Sequence, residues 1–584
     1  MALSTPSASP AVVVKEIDLT GGVPNVQSTT GAIVGNYRWG PAEERVLVDN
    51  EATLVNTFAS PDSDNTIDFH SAVYFLRYSG SLFVTREVDG SALNARSTRG
   101  QLTTDSDGSL PTELVKNEQD WNAQTSALDS DSHTFIARFP GELGNSLQVS
   151  ICPPSDSAFN AWSYASDFDA APGTSDYASD RNAANDEVHM VIVDKNGEFT
   201  GTKGTVLETY PFVSMATDAK NADGTTNYGL DIINNRSEYV WMVDWDSDYQ
   251  AARGNGYVDS GDTFMTALNS DTDFNFAQGV NSGMLGTTEY LQGYDLYEDK
   301  DIVEIDFLIS PSMNSRTDQT TIVNDLISTA QSLRKDCVVA ASPARTDVLG
   351  LTNTATMTNN IVATANTYTN SSYLVNDGNF LKIYDKYNDQ YINIPAASST
   401  AGIMAATDLN RAPWFSPAGS RRGQYLGITA IAYSPTKAQR DTLYKASVNP
   451  IANIPGQGVL LFGDKTKLGR PSAFDRINVR RLFLVLERAI GRAAEQVMFE
   501  FNDEFTRAEF VNIVEPVLRE VQGRRGITDF RVVCDETNNT PAVVDRNEFI
   551  ANIFIKPARS INYVTLNFVA VRTGVDFEEV VGTV

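Results

Sequence analysis

The sequence predicts a multidomain protein that mixes α/β and α+β units, with a β-rich, loop-rich insertion between them. Three stretches carry this reading. Residues 302–345 run strand, helix, strand, as VEIDFLISP, TTIVNDLISTAQSLRK and DCVVAASPAR, the order of a right-handed parallel unit. Over 96–285 Ser, Asp, Asn and Gly rise and strands shorten, and residues 155–275 hold 21 Asp+Glu against 6 Lys+Arg. From about 471 onward the chain reads as two helices followed by three strands.

In chain order, residues 1–10 are Ser/Pro-rich, and Ala11 to Leu19 form one extended segment. Val12 and Val14 share one face of it and Val13 and Lys15 the other. Gly21, Gly22 and Pro24 end it. A lone terminal strand buries little, so it needs a sheet edge elsewhere. Residues 25–90 then alternate strand and helix: GAIVGNYRWGP enters a Gly-Pro turn, IDFHSAVYFLRYSG is helical, and SLFVTREVDG is a strand. Beyond the 302–345 unit, FLKIYDKYNDQYINIPA is a hairpin around Asn388 and Asp389, and SSTAGIMAATDLNR is a helix.

The C-terminal unit opens with a helix over Asn478–Glu500. Its Leu482, Leu486, Ala489, Ile490, Ala493 and Val497 fall on one apolar face at about 100° per residue. Arg481, Arg488 and Arg492 form a narrow stripe on the opposite face, and Arg480 and Arg481 stand in the first turn, where the helix dipole opposes positive charge. Residues 465–525 hold 12 basic against 9 acidic side chains in a chain of net charge −29. Two readings of the stripe stay open: an ordinary solvated face, or a basic strip for an acidic partner. A second helix opens at Thr506 with a Thr506/Glu509 capping box, bends at Pro516 and ends at Gly523. Strands ITDFRVVCD, EFIANIFIK and INYVTLNFVAVR follow, the last alternating Val564, Leu566 and Phe568 with Tyr563, Thr565 and Asn567. The tail VDFEEVVGTV, with Val575 and Phe577, has no core of its own, and such unpaired extended ends call for partners.

Chemistry is sparse. The acidic balance argues against a direct nucleic-acid binder. Cys152, Cys337 and Cys534 lie far apart, fit no disulfide or zinc pattern, and read as reduced thiols. The N-terminus lacks a secretory pattern, and with no run of about 18 apolar residues no membrane insertion is expected. Asp244, Asp246 and Asp248 alternate as a calcium loop begins, yet Tyr249 stands where a glycine belongs and Asn255 where a bidentate glutamate belongs. The Gly-x-Gly at 456–458 lacks a third glycine, and phosphate-loop motifs are missing, so no metal or cofactor is expected.

Several segments resemble the contractile phage tail sheath family. They are QSTTGAIVGNYRWGPAEERVLVDNEATLVNTFASP (27–61), FPGELGNSLQVSI (139–151), RAPWFSPAGSRRG (411–423), and LLFGDKTKL with INVRRLFLVLERAIGRAAEQVMFEFND (460–503). They occur in the family's order. The resemblance implies an inner, tube-facing α+β domain built from both chain ends, a middle subtilisin-like α/β domain, and a β-rich outer insertion. The boundaries that follow are an N-terminal arm (1–21), a small α/β segment packing with the middle domain (22–95), the outer insertion (96–285), the middle domain (286–470), the inner domain (471–574) and a C-terminal arm (575–584).

By the same resemblance, the chain is expected to be a structural sheath subunit of the virion tail, assembled in the host cytoplasm. It would polymerise as stacked rings around a tail tube protein, with baseplate and tail terminator proteins as further partners, and contract to drive the tube through the host envelope. The sheath of a bacteriocin or injection device is the alternative. Arg480, Arg481, Arg488 and Arg492 would face the tube. Val12, Val13, Val14, Val564, Leu566, Phe568, Val575 and Phe577 would add strands to neighbouring subunits. The subtilisin likeness raises a latent hydrolase, but a serine triad needs a histidine base. His70, His133 and His189 all lie outside 300–460, so the Ser and Thr of STAGIMA have no base in that domain, and no enzyme is expected.

Overall fold

The computed structural model describes residues 28–98, 114–124, 134–245, 256–264 and 273–561. The chain divides into two compact units: a larger one that runs to Arg488, and a smaller one comprising Trp414–Ser416 and the chain from Ala489 onward. The smaller unit begins within helix Ile477–Glu495.

The larger unit is built on a six-stranded sheet in the order Leu374–Asn376, Val338–Ala341, Phe307–Ile309, Gly31–Gly35, Leu82–Arg86, Arg45–Val48. All pairings are parallel except the last, where Arg45–Val48 runs antiparallel at one edge. Strands from the N-terminal segment and from residues 307–376 therefore share one sheet. FLI, VVAA and LVN are buried throughout because helices cover both faces of a parallel sheet. The two-residue period sorts them. Ile33, Phe307, Ile309, Val338, Ala340 and Val375 join a core with Phe69, Phe75, Ile403 and Met404 from helices Thr66–Leu76 and Ala397–Asn410. Ala32, Val34, Leu308, Val339 and Ala341 join the opposite core with Tyr290, Tyr294, Ile322 and Leu326 from helices Thr287–Asp295 and Arg316–Ser328. Gly31 lets helix Thr66–Leu76 come close, since a Cβ there would stand 2.7 Å from the Phe75 ring.

Residues 94–277 supply a seven-stranded antiparallel sheet, ordered Thr205–Ser214, Glu187–Asp194, Leu147–Cys152, Asp273–Ala277, Asn94–Thr98, Phe135–Pro140, Val240–Met242. Its acidity does not leave it without a core: Trp39, Phe135, Val149, Ile192, Ile233 and Trp245 are buried together. Arg86, at the end of its central-sheet strand, donates to the carbonyls of Tyr37 at 2.8 Å, Gly40 at 2.7 Å and Pro140 at 2.6 Å. One buried guanidinium so ties the parallel sheet to the antiparallel one. Burial draws its pKa down to about 9, against the pull of Glu87.

The smaller unit holds helix Glu504–Gly523 and a two-stranded antiparallel sheet, Ile527–Val533 with Asn552–Pro557. Phe510, Val514, Leu518 and Val521 form the buried stripe of the helix, at spacings of four, four and three. Phe510 meets Phe549 edge-on at 5.5 Å. Trp414 donates its indole N–H to the Arg524 carbonyl at 3.1 Å.

Candidate assembly surface

Helix Ile477–Glu495 carries the arginines that the sequence singles out. Leu482, Leu486, Ala489 and Ala493 are buried, as its apolar stripe predicts. Arg480 and Arg481 are buried too, Arg481 with only 4% of its surface exposed. Arg481 makes two ion-pair contacts with Asp408, one of them to Oδ1 at 2.7 Å, and donates to the carbonyls of Met404 at 2.9 Å and Ser28 at 3.0 Å. Its guanidinium also lies over the Phe307 ring at 4.5 Å. Arg488 pairs with Asp306 at 2.8 Å and donates to the Asp336 carbonyl at 3.0 Å. Arg480 donates to Ser372 Oγ at 2.6 Å between the rings of Tyr373 and Phe474.

Three of the four arginines expected to face a tube therefore point into their own chain. The helical wheel places Arg481 and Arg488 on one side of the helix; it does not say what covers that side. Asp306 and Asp408 do, and both have further work. Asp306 accepts the Thr30 N–H at 2.9 Å, and Asp408 accepts the Ser28 hydroxyl at 2.8 Å. The arginine stripe thus clamps the first described residues, the central sheet and helix Ala397–Asn410 together, and holds the first turns of its helix in the larger unit. Burial raises both carboxyls above their usual range, and the facing guanidiniums, Arg481 for Asp408 and Arg488 for Asp306, pull them back. Arg492 lies beyond Arg488, half-buried, in the smaller unit. Val12, Val13, Val14, Val564, Leu566, Phe568, Val575 and Phe577 lie outside the described residues, as does most of the 244–257 acidic loop.

The next stretch shows what sequence reasoning missed. Helix Glu504–Gly523 is capped by Asp503, whose carboxylate accepts the Thr506 N–H at 2.9 Å, so Thr506 is its third residue and not its cap. At the other end Gly523 is still helical. The left-handed residue is Arg525, at φ 67°, and Gly526 N–H closes the turn on the Val521 carbonyl at 2.8 Å. Between the two helices, Met498, Phe499 and Phe501 stand exposed, Phe501 at 83%, and Phe505 in the first turn of the second helix is exposed at 76%. Three phenylalanines within seven residues interleaved with Glu500, Asp503 and Glu504 are the signal that was available: no helical or strand period buries them on one side.

The hydrolase question also changes shape. Because residues 28–98 share the core of the parallel sheet, His70 does reach it: its Nε2 lies 3.0 Å from Asp385 Oδ1. The argument from an absent histidine is therefore corrected. The pair is structural in its surroundings. Asp385 also accepts the Thr66 hydroxyl at 2.8 Å, Asn388 Nδ2 at 2.8 Å and the Tyr387 N–H at 2.9 Å, tying helix Thr66–Leu76 to hairpin Phe380–Pro395. Burial alone would raise the Asp385 carboxyl; hydrogen bonds from Asn388, His70 and Thr66 hold it at about 2. Burial lowers the His70 pKa against the pull of Asp385. In helix Ala397–Asn410, Thr400 donates to Asp377 at 3.1 Å, while the Ser398 and Ser399 hydroxyls are buried without a hydrogen-bond partner. Among the described residues, no three His, Cys, Asp or Glu side chains gather as a metal site.

Comparison with known proteins completes the picture. Residues 285–467 match the phage tail sheath protein central domain and residues 470–570 the phage tail sheath C-terminal domain. The chain is 31% identical to the tail sheath protein of Enterobacteria phage T4, over 98% of this chain and 99% of that one. It is 30% identical to the tail sheath protein of Salmonella phage ViI, over 99% and 98% respectively. In fold it is similar to a sheath tail protein of Listeria innocua (TM-score 0.53, 12% identity, 92% of this chain and 97% of that one). A sheath tail protein of Desulfitobacterium hafniense is similar in the same way (TM-score 0.52, 12% identity, 94% and 100%). A relative of at least 30% identity matched from end to end, with two sheath domains in sequence, means that this chain belongs to the phage tail sheath protein family.

Proposed function

We propose that this chain is the structural subunit of a contractile phage tail sheath, polymerising helically around a tail tube and contracting to drive the tube through the host envelope. The end-to-end match to phage tail sheath proteins carries the reading, and the phage origin of those relatives favours a phage tail over a bacteriocin or injection device. Assembly takes place in the host cytoplasm, the product is the virion tail, and the tail tube, baseplate and tail terminator proteins are its partners. In this reading the smaller unit is the inner one, Arg492 is the remaining candidate for tube contact from the arginine stripe, and the antiparallel sheet of residues 94–277 decorates the outside. The chain ends, Val12–Val14 at one and Val564, Leu566, Phe568, Val575 and Phe577 at the other, add strands to neighbouring sheets. The sheet Ile527–Val533/Asn552–Pro557 has two strands among the described residues, too few to be stable alone, which suits completion by such arms.

Contraction is a rigid-body rotation of subunits from a kinetically trapped extended state to a more stable packing. The buried clamp of Arg481 and Arg488 suits that motion, since a unit that must rotate intact benefits from internal ties. Electron microscopy of the purified chain at high concentration tests the reading: hollow striated cylinders are expected, and discrete small particles under all conditions would refute it.

A further inference from the structure

One histidine in the antiparallel sheet ties three pieces of chain together. Strand Glu187–Asp194 pairs with Thr205–Ser214 through a bulge: Val188 faces Val213 and Met190 faces Tyr210, so Pro211 and Phe212 together oppose His189. Pro211 has no N–H to give. Phe212, at φ 54°, gives its N–H to His189 Nδ1 at 3.0 Å, and its carbonyl accepts Asn227 Nδ2 at 3.0 Å. A main-chain N–H can only donate, so Nδ1 carries the lone pair and Nε2 the hydrogen. That Nε2–H donates to the Ala170 carbonyl at 2.8 Å. His189 is fully buried, and both of its nitrogens are satisfied in this one neutral tautomer.

Ala170 belongs to a lid, residues 155–173, in the connection between strands Leu147–Cys152 and Glu187–Asp194. Phe168 stacks on the imidazole at 4.3 Å and 10°, with Phe159 and Trp162 at 5.9 and 6.4 Å. The lid's short helices, Asp156–Ala161 and Ala165–Asp167, bury none of their residues fully. Its hold on the sheet is these rings and a few hydrogen bonds, such as Trp162 Nε1 to Ser150 Oγ at 2.8 Å. Segments with so few buried contacts open at low cost. Charges around the ring are few. Asp156, Asp167 and Asp169 on the lid are exposed, Tyr164 beside Trp162 is neutral in acid, and Pro211 and Phe212 bring no charge. Cys152, opposite His189 on the next strand, is a thiol that burial pushes up to about 12. Ser150 donates on to Asp273 at 2.5 Å. Glu187, two residues from His189 on the same strand face, accepts the Gly173 N–H at 3.1 Å; burial raises its carboxyl, so it too takes up a proton toward acid.

We propose that His189 is an acid-sensitive latch: a proton on Nδ1 expels the Phe212 N–H, frees the bulge and lets the lid of residues 155–173 open. Two N–H donors would otherwise face each other across 3.0 Å. Burial lowers the His189 pKa against the pull of the Ala170 carbonyl, whereas an exposed imidazole takes up its proton near about 6.5. The closed lid is therefore fully stabilised above about pH 6.5 and loses that stabilisation as the pH falls. The open state presents an imidazolium among Phe159, Trp162, Phe168 and Phe212, an aromatic face that neutral pH keeps covered.

Amide hydrogen exchange of the full-length chain, corrected for the intrinsic effect of pH, tests the latch. From pH 7.5 to pH 5.5 the protection of the Phe212 amide and of the lid should fall about tenfold, while that of central strand Phe307–Ile309 holds. His189→Gln, which accepts and donates but takes up no proton, should flatten this dependence; Glu187→Gln should leave it in place. Nitrogen NMR of the histidine-labelled wild type at pH 7.5 should show His189 protonated on Nε2, a reading that needs no variant to fold. Constant protection of Phe212 down to pH 5.5, or a proton on Nδ1 at pH 7.5, overturns the latch. A dependence that survives His189→Gln, or that Glu187→Gln abolishes, gives the effect to a carboxylate and equally overturns it. An equal loss in Phe307–Ile309 would mean general unfolding and no lid. An H189Q chain that fails to fold leaves the decision to the wild type and E187Q.

Discussion

The helix Ile477–Glu495 and the loop that follows it invert the usual sorting of side chains. In the first, Arg480, Arg481 and Arg488 turn inward; in the second, Phe499 and Phe501 turn out to solvent, as does Phe505 just inside the next helix. Neither arrangement follows from hydrophobicity alone. A guanidinium taken out of water is tolerable only where carboxylates and carbonyls replace its hydration, as Asp408, Met404 and Ser28 do for Arg481. An aromatic left in water is tolerable to the monomer because nothing there depends on it. In the sheath reading, the difference separates the surface that builds the subunit from one left over for partners.

The sharpest way to break this comparison is to remove the buried charge. Arg481→Ala should destabilise the unpolymerised chain by about 3–5 kcal/mol, since it strands the Asp408 carboxylate in the core. Arg481→Lys should recover only part of that, because an ammonium cannot serve Asp408 and two carbonyls in one plane. Denaturant unfolding monitored by circular dichroism checks both. A triple reversal to Glu at Arg481, Arg488 and Arg492 is expected to unfold the chain, not to spare the fold as an outward strip would allow. A cost below about 1 kcal/mol for Arg481→Ala would restore that outward reading.

What the sequence made legible follows from the range of the forces involved. Period-two and period-3.6 patterns gave strand Gly31–Gly35, the unit spanning Phe307–Ala341, hairpin Phe380–Pro395 and helix Ala397–Asn410, because local burial dictates local pattern. The apolar stripe of Ile477–Glu495 was legible for the same reason. The partners Asp306 and Asp408 were not: they lie 182 and 73 residues away from Arg488 and Arg481, and a helical wheel carries no information about distant carboxylates. His70 was misjudged likewise, since it meets Asp385 only once strands from both ends of the chain share a sheet. At Gly523 the preference of glycine for left-handed positions misled, and the chain spends that conformation on Arg525 instead.

A buried charge without a cation offers a gentler comparison. Asp377 follows strand Leu374–Asn376 and, among the described residues, accepts neutral donors, Ser342 Oγ at 2.9 Å and Thr400 Oγ1 at 3.1 Å. Burial raises its carboxyl to about 7 against those hydrogen bonds. The folded state then holds a proton that the unfolded chain releases near its ordinary value. That contribution is fully present below about pH 4 and is lost as pH rises toward 7. Between pH 5 and pH 8 the wild type should lose up to about 3 kcal/mol from this group, a slope that Asp377→Asn abolishes. Unfolding free energies of both chains at the two pH values check it; identical slopes would mean that Asp377 stays ionised in the fold.

The smallest expected effect tests the outer half of the comparison. Phe501 is 83% exposed. Its carbonyl, not its side chain, accepts the Asp503 N–H that shapes the loop, so the backbone pinning survives a change of side chain. Phe501→Ser should therefore leave the stability of the unpolymerised chain within about 0.5 kcal/mol of the wild type. In the sheath reading, the same substitution removes a ring that a neighbouring subunit would cover. Polymerisation should weaken while the melting temperature of the monomer does not move, a separation that no core residue can produce. A monomer destabilised by more than about 1 kcal/mol would place the ring in the subunit's own packing, and the contrast between inward arginines and outward phenylalanines would then no longer hold.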